Sequence, residues 1–137
     1  MVVLLLFPRK KDKGGPDKKK LSSENWPDYV ITLNEKNFDN FIKKYPLSAV
    51  DFWAPWCAPC RTMGPRLRRL SKIFKGKIVF GKLNTQENED IAKKYKIMGI
   101  PHIIIFYHGK KLSSITGVKS VGSIKNTIEE LLKKNKR

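Results

Sequence analysis

The stretch that decides the fold is AVDFWAPWCAPCRTMGP, residues 49–65, which holds both cysteines of the 137-residue chain. A strand-like apolar run ends at Trp53, and a helix-like pattern begins at Cys57. A disulfide here would close a ring of about four residues and stabilise the fold by roughly 2 kcal/mol, against nearly 5 for a ring of about 100. The pair is therefore better suited to being made and broken than to holding the chain together.

The start of the predicted helix favours a reactive thiol. Free N–H groups and the helix macrodipole stabilise the thiolate of Cys57, so its pKa should fall toward neutrality. Pro59 fits the first turn because its missing N–H has no intrahelical partner there. Cys60 lies one turn further on, at a spacing that a disulfide can bridge. We expect an exposed nucleophile, a buried resolving thiol and a rigid spacer, as thiol-disulfide exchange requires.

Strand-like and helical patterns alternate outward from this stretch. The predicted strands are DYVITL, LSAVDFW, KIVFGKL, HIIIFYH and LSSITGV. The predicted helices are EKNFDNFIKKY capped by Asn34, the segment from Cys57 to about Gly76, NEDIAKKY, and the segment from Ser120 to about Lys134. This order predicts an α/β fold with a central mixed β-sheet flanked by helices on both faces.

The segment from about Trp26 to Leu132 contains VDFWAPWCAPC, Pro65 in the following helix, KLN at residues 82–84, GIP at residues 99–101, and Gly109 and Gly117 in the last hairpin. Through these motifs the segment resembles the thioredoxin family. Each motif alone is weak, but their order and spacing are highly specific. The resemblance implies the thioredoxin fold and a redox disulfide between Cys57 and Cys60.

The resemblance also implies a role for each matching residue. Cys57 corresponds to the attacking cysteine, Cys60 to the resolving cysteine, Asp51 to the proton acceptor for the resolving thiol, and Lys82 to the charge partner of Asp51. The implied substrate-binding residues are Trp56, Ala58, Pro59, Ile100, Gly117, Val118 and Pro101, which matches a cis-proline.

Some of these positions carry expectations of their own. A carboxyl group in the middle of an apolar strand is costly to ionise, so the pKa of Asp51 should be raised, with Lys82 moderating the rise. The alternatives are an Asp51 satisfied by the backbone and a solvated surface Lys82. Ala58 stands where the family usually has glycine, and His102 where threonine is more common. An ionisable His102 could add a pH dependence to substrate binding.

The chain is strongly basic, with 29 Lys and Arg residues against 12 Asp and Glu residues and a net charge of +17. Residues 8–20 hold seven basic and two acidic residues, and residues 133–137 hold four basic residues and none acidic. Such tails are usually solvated and disordered. We expect a basic, disordered N-terminal arm at residues 1–25, a thioredoxin domain at residues 26–134 and a basic tail at residues 135–137.

The N-terminal run MVVLLLFPRKK places its basic residues after its apolar ones, the reverse of a secretory signal. Its apolar part, Val2–Phe7, is far shorter than the about 20 residues that a membrane span needs. Two cysteines without an export signal fit a reducing interior. We therefore expect a cytoplasmic location and no transmembrane segment.

The expected function is that of an enzyme, a protein-disulfide reductase that keeps cytosolic thiols reduced and so maintains cell redox homeostasis. It should need no bound cofactor or metal and should act as a monomer on disulfide-containing client proteins. A thioredoxin reductase should recharge it. We expect no specific nucleic-acid partner, because the sequence has no zinc-finger, glycine-rich or aromatic RNA-binding pattern.

Several alternatives stay open at the level of sequence. The cysteine pair with His102 and His108 has the form of a metal site, but six residues along one strand would separate the histidines by about 20 Å, too far to share a tetrahedral ion. The cysteines could instead be inert, in a domain that has lost its activity. The chain could also be an oxidant or isomerase of the export pathway. A different alternative is a basic module that binds nucleic acid or membrane through its tails.

Overall fold

A computed structural model describes residues 25–135 of the chain. The elements run in the order β1 Ile31–Leu33, α1 Phe38–Lys44, β2 Leu47–Trp53, α2 Ala58–Ile73, β3 Val79–Asn84, α3 Glu89–Lys94, β4 His102–Tyr107, β5 Lys110–Thr116 and α4 Val121–Lys134. The predicted arm up to residue 24 and the last two residues of the predicted tail lie outside the described residues, so those assignments stay predictions.

The strands form a 5-stranded mixed sheet in the order β1-β3-β2-β4-β5. β3 pairs in parallel with both β1 and β2, whereas β4 pairs antiparallel with both β2 and β5. β2 is therefore paired on both edges and buried along nearly its whole length, which explains its near-continuous apolar sequence. The predicted α/β class and mixed sheet are confirmed.

Helices cover both faces of the sheet and divide the core into two clusters. One cluster packs α2 and α4 against the sheet and includes Leu70 and Ile128. The other packs α1 against the opposite face, with Phe38 against Phe52 of β2. Because side chains alternate along a strand, Asp51 points to the face that α2 covers. The fold thus places this carboxyl group directly beneath the helix that carries the cysteines.

The first helix begins later than the sequence predicts. Asn34 is the expected N-cap, but α1 starts at Phe38. The side-chain oxygen of Asn34 accepts hydrogen bonds from the N–H groups of Lys36 at 2.8 Å and Asn37 at 3.1 Å. These bonds hold the chain in a turn, since short polar side chains compete with the helix for backbone groups.

The last helix begins and ends as predicted. The Ser120 hydroxyl caps α4 by accepting a hydrogen bond from the N–H of Ser123 at 3.0 Å. Its final turn carries Lys133 and Lys134, so these two lysines belong to the helix and not to a tail. Within residues 25–135, each helix is too short or too polar to cross a membrane.

Candidate redox site

The two cysteines lie where β2 gives way to α2. Cys57 is the N-cap of α2, and its Sγ accepts a hydrogen bond from the N–H of Cys60 at 3.2 Å. Pro59 occupies the first turn. A disulfide joins the two cysteines, whose Cα atoms are 5.2 Å apart. The sulfur of Cys57 therefore lies among the unpaired N–H groups that open the helix, where a thiolate is favoured.

Exposure does not distinguish the two cysteines. Cys57 and Cys60 each expose only 4% of their surface, so the predicted exposed nucleophile is wrong for this disulfide-bonded form. Ala54, Trp53 and Ile100 pack against the pair and cover it. The two cysteines differ instead in their place on the helix, because Cys57 is the N-cap of α2 whereas Cys60 lies within its first turn.

Asp51 lies on β2 beneath α2. Its side chain is buried, and its Oδ1 has no hydrogen-bond partner among the described residues. Burial raises the pKa of this carboxyl group to about 7, and the positive charge of Lys82 acts in the opposite direction. The predicted burial and raised pKa are confirmed, and the unpartnered Oδ1 contradicts a carboxyl group satisfied by the backbone. A carboxyl group with this pKa can gain and lose a proton near neutral pH.

Lys82 lies beside Asp51 in the parallel pairing of β2 and β3, as the sequence predicts. Its ammonium group is 5.5 Å from the centre of the Trp53 ring, within the range of a cation–π contact. Trp53 is missing from the predicted site residues. The signal that could have found it is strand alternation, which places Trp53 on the same face as Asp51.

A second loop meets the cysteines at the start of β4. The peptide bond between Ile100 and Pro101 is cis, as the resemblance implies, and the Ile100 carbonyl oxygen lies 3.9 Å from Cys57 Sγ. The N–H of Gly117 donates to the Pro101 carbonyl oxygen at 2.8 Å. Gly117 has a φ of +88°, a left-handed conformation that favours glycine. The end of β5 is thus tied to the loop beside the disulfide.

Apolar side chains are exposed around the disulfide. Trp56 is 68% exposed and Val118 is 43% exposed, and Ala58 and Pro59 are exposed in the first turn of α2. Ile100 packs against the disulfide and Pro101 is buried beside it, so not every implied substrate-binding residue is exposed, and their role stays a prediction. Met98, in the loop before β4, is 94% exposed and is absent from the prediction. No sequence pattern separates such a methionine from a core residue, so only the structure identifies it.

His102 is half-buried at the start of β4, and its Nδ1 lies 3.0 Å from Thr116 Oγ1. Burial, and then the charge of Lys111, lower the pKa of His102, so the ring is neutral at physiological pH. His108 follows the far end of β4. Within residues 25–135, no group of three or more His, Cys, Asp or Glu side chains could hold a metal ion.

A disulfide at a helix N-terminus with a protonatable carboxyl group beneath it is suited to exchanging thiols and disulfides. This fold and this site are typical of the disulfide oxidoreductase class. The family model described as Thioredoxin matches residues 29–130. The chain belongs to the thioredoxin family, whose members are disulfide oxidoreductases.

Individual relatives agree with this assignment. A chloroplastic thioredoxin M-type from Zea mays is 35% identical over 111 residues, which cover 80% of this chain and 66% of the relative. A thioredoxin from Buchnera aphidicola is 34% identical over 102 residues, which cover 74% of this chain and 94% of the relative. The structure of a mutant thioredoxin from Halobacterium salinarum has a TM-score of 0.72 at 24% identity, covering 77% of this chain and 92% of its own, which supports the fold.

The comparisons correct the predicted location. This chain spans just under two thirds of the maize relative, 66% of its length. That relative and those from spinach and rice are chloroplastic thioredoxins, so the predicted cytoplasmic location is wrong. Cysteine usage could not reveal this, because a close cysteine pair is compatible with any reducing compartment.

Proposed function

We propose that this protein is a protein-disulfide reductase that works by dithiol-disulfide exchange at its Cys-Ala-Pro-Cys site. The observation that carries the proposal is the disulfide between Cys57, at the N-terminus of α2, and Cys60, with the buried carboxyl group of Asp51 beneath the same helix. Membership of the thioredoxin family supports the same chemistry.

The reaction begins from the reduced form, in which both cysteines are thiols. The thiolate of Cys57 is stabilised by the N–H groups that open α2 and attacks one sulfur of a client disulfide. The client's other sulfur leaves as a thiolate and takes a proton from solvent. The product of this step is a mixed disulfide between Cys57 and the client.

Resolution of the mixed disulfide requires the thiolate of Cys60. Burial disfavours that thiolate, so a nearby base accelerates the step. Asp51 borders the same cavity as Cys60, and its pKa of about 7 lets it accept the Cys60 proton near neutral pH. The Cys60 thiolate attacks the Cys57 sulfur, and the client leaves with its second thiolate. Two electrons pass to the client, and the Cys57–Cys60 disulfide forms again.

Clients bind at the exposed apolar surface around the disulfide, where Trp56 and Val118 supply contact area and the cis-proline loop offers backbone groups to an extended segment. Either a thioredoxin reductase or a ferredoxin-thioredoxin reductase returns the disulfide to the dithiol. No bound cofactor takes part. The names of the chloroplastic relatives support a plastid as the place of action.

A pair of serine variants tests this assignment of roles. Cys57→Ser lacks the attacking sulfur and should lose at least about 10³-fold in the rate of reduction of a disulfide-containing protein. Cys60→Ser should still attack but should accumulate the mixed disulfide, which non-reducing gels and mass spectrometry detect. Glu129→Gln, an exposed change on α4 away from the disulfide, is the control and should keep activity within a few-fold. Accumulation of the adduct in Cys57→Ser instead would reverse the two roles, and normal turnover in both variants would overturn the proposed function.

A further inference from the structure

A cavity of about 410 Å³ lies beside the disulfide, and none of the implied substrate-binding residues lines it. Its walls are the end of β2, Lys82 of β3, one side of α2 and the segment that leads into β1. Asp51 and Cys60 both border it, so the cavity is next to the proposed proton transfer without being part of the client surface. Its size falls in the range of sites that bind small molecules.

We propose that this cavity binds a small organic anion that has an aromatic or branched apolar body. The proposal goes beyond the reductase function and does not depend on it. Three features of the cavity support it: the charges on its rim, the apolar character of its inner wall, and an open helix surface at Gly64.

The rim of the cavity is positively charged. Arg61, Arg68, Lys72 and Lys82 all line it, whereas Asp51 is the one acidic residue among the described residues that do so. The guanidinium group of Arg61 already donates to a carbonyl oxygen at 2.9 Å, and the ammonium group of Lys72 lies 3.9 Å from a carboxylate oxygen of Asp28. The guanidinium group of Arg68 has no such partner within residues 25–135, so an anion could use both arms of its fork.

The inner wall of the cavity is apolar. Val30, Trp53 and Leu67 line it together with the ring of Tyr29 at its mouth. These side chains suit an aromatic or branched body, whereas a small inorganic anion would leave them unfilled. Charge complementarity disfavours a cationic ligand, because the described cations around the cavity outnumber the single buried acid.

Gly64 leaves the helix side of the cavity open. A Cβ atom built there would have only Arg68 Nη1 within 4 Å, at 3.7 Å. Packing therefore does not require glycine at this position, and glycine in the middle of a helix is unfavourable. The absence of a side chain at Gly64 leaves free space beside the guanidinium group of Arg68, which has no partner within residues 25–135.

The opposite wall is held in place by hydrogen bonds. The Lys72 ammonium donates to the carbonyl oxygen of Asp28 at 3.3 Å. The buried hydroxyl of Ser71 on α2 lies 3.0 Å from the same oxygen and 2.6 Å from the Arg68 carbonyl oxygen, and its one proton can serve either of them. These contacts attach the segment carrying Tyr29 and Val30 to α2. The cavity is thus formed before any ligand arrives, as in most small-molecule sites.

The test uses a matched pair of probes, 2-naphthoate and its neutral analogue 2-naphthamide. Each is titrated into the oxidised, full-length protein, without client or reductase, and amide chemical shifts of the ¹⁵N-labelled chain are followed. We expect 2-naphthoate to shift amides of Asp51, Gly64 and Val30, and to bind at least 10-fold more tightly than 2-naphthamide. Equal affinity for the two probes would overturn the proposed anion site.

Three variants test whether 2-naphthoate binds in this cavity. Arg68→Gln removes the cation that would pair with the naphthoate carboxylate, and Gly64→Leu fills the open helix side, so each should weaken 2-naphthoate binding at least 10-fold. Arg69→Gln removes an exposed cation of the same helix that does not line the cavity, and should keep the affinity within about twofold. Unchanged binding in Arg68→Gln would place the naphthoate elsewhere and overturn the proposal, even if Gly64→Leu fails to fold. Because these titrations contain no client, their failure would leave the reductase assignment untouched.

Discussion

Asp51 is a carboxyl group on a strand whose neighbouring side chains are almost all buried. Burial raises its pKa from 3.8 to about 7, so the folded protein keeps a proton that the unfolded chain loses between these two values. The stability that comes with the neutral carboxyl group is therefore present below about pH 4 and is lost as the pH rises toward 7. The whole difference between the two pKa values corresponds to a loss of about 4 kcal/mol in the free energy of unfolding.

Replacement of Asp51 by Asn should remove this pH dependence. We expect Asp51→Asn to have a free energy of unfolding roughly 2–4 kcal/mol higher than the parent protein at pH 8, and a nearly equal one at pH 4. Urea unfolding of the oxidised proteins at the two pH values measures the difference. Glu129→Gln, an exposed change on α4, is the control and should show no such contrast. If Asp51→Asn raised the free energy of unfolding equally at both pH values, the result would contradict a raised pKa for Asp51.

The same substitution should slow the second chemical step. Without a base beside Cys60, resolution of the mixed disulfide should be at least about 10-fold slower near pH 7, whereas the first attack by Cys57 stays fast. In the parent protein the resolution rate should rise with pH through about 7, the pKa of Asp51. Single-turnover kinetics across this range test both statements. Parent-like resolution in Asp51→Asn at every pH would make Asp51 a purely structural residue.

At this scale, the sequence predicts chemical identity better than exposure. The burial of Asp51 follows from its apolar neighbours along the strand. The position of Cys57 at a helix start follows from the spacing of apolar residues, which changes there from a strand-like to a helical pattern. The covering of Cys57 depends on Ile100, which arrives from a loop more than forty residues away. No local pattern encodes such a contact.

Among the elements, the packing of β1 and α1 over β3 depends on one glycine. A Cβ atom at Gly81 would lie 2.7 Å from Leu33 Cδ1 and 3.2 Å from Phe41 Cζ, and both neighbours are buried. Gly81→Ala should therefore lower the free energy of unfolding by about 1–3 kcal/mol through overpacking. Urea unfolding measures the change.

A second glycine supplies the control for that experiment. Gly122 lies in the first turn of α4, and a methyl group placed on its Cα would have no described neighbour closer than the Ser120 hydroxyl oxygen at 4.0 Å. Gly122→Ala should therefore raise stability by up to about 1 kcal/mol. Opposite signs for the two alanine variants would support a close-packed β1–β3–α1 contact. A neutral or stabilising Gly81→Ala would show that β1 moves away at little cost.

Most element boundaries can be predicted from local patterns, and the exceptions have physical causes. β2 runs over Leu47–Trp53, as its apolar run indicates. β1 covers only Ile31–Leu33 of the predicted DYVITL, because only these residues pair with β3. The late start of α1 follows from the hydrogen bonds of one asparagine side chain, which a cap preference alone cannot anticipate.

At the scale of the whole molecule, the net charge of +17 is unevenly distributed along the sequence. Residues 1–20 contribute seven basic and two acidic residues, so their removal lowers the net charge to +12. We expect this deletion to leave reductase turnover within a few-fold and to weaken any binding to nucleic acid or anionic vesicles, binding that added salt should also weaken. Turnover assays and vesicle co-sedimentation at two salt concentrations measure these effects.

A full-length variant with the seven basic residues of that segment changed to Gln and its two acidic residues changed to Asn is the matched control, because its net charge is also +12. It should reproduce the loss of vesicle binding, because the effect comes from charge and not from chain length. If the deletion abolished turnover while the Gln variant kept it, the segment would position a client or the recycling enzyme.

The cavity beside the disulfide is also a property of the whole molecule, since its walls come from segments that only the fold brings together.

The central place of β2 has a consequence for how the protein exchanges its amide hydrogens with deuterium. β2 is hydrogen-bonded on both edges and leads directly into the disulfide, whereas β1 is three residues long and pairs with β3 alone. Amides of β2 should therefore take up deuterium only through global unfolding, and those of β1 through small local openings. The redox pair is attached to the last part of the molecule to open, so partial unfolding from the β1 edge leaves its geometry intact.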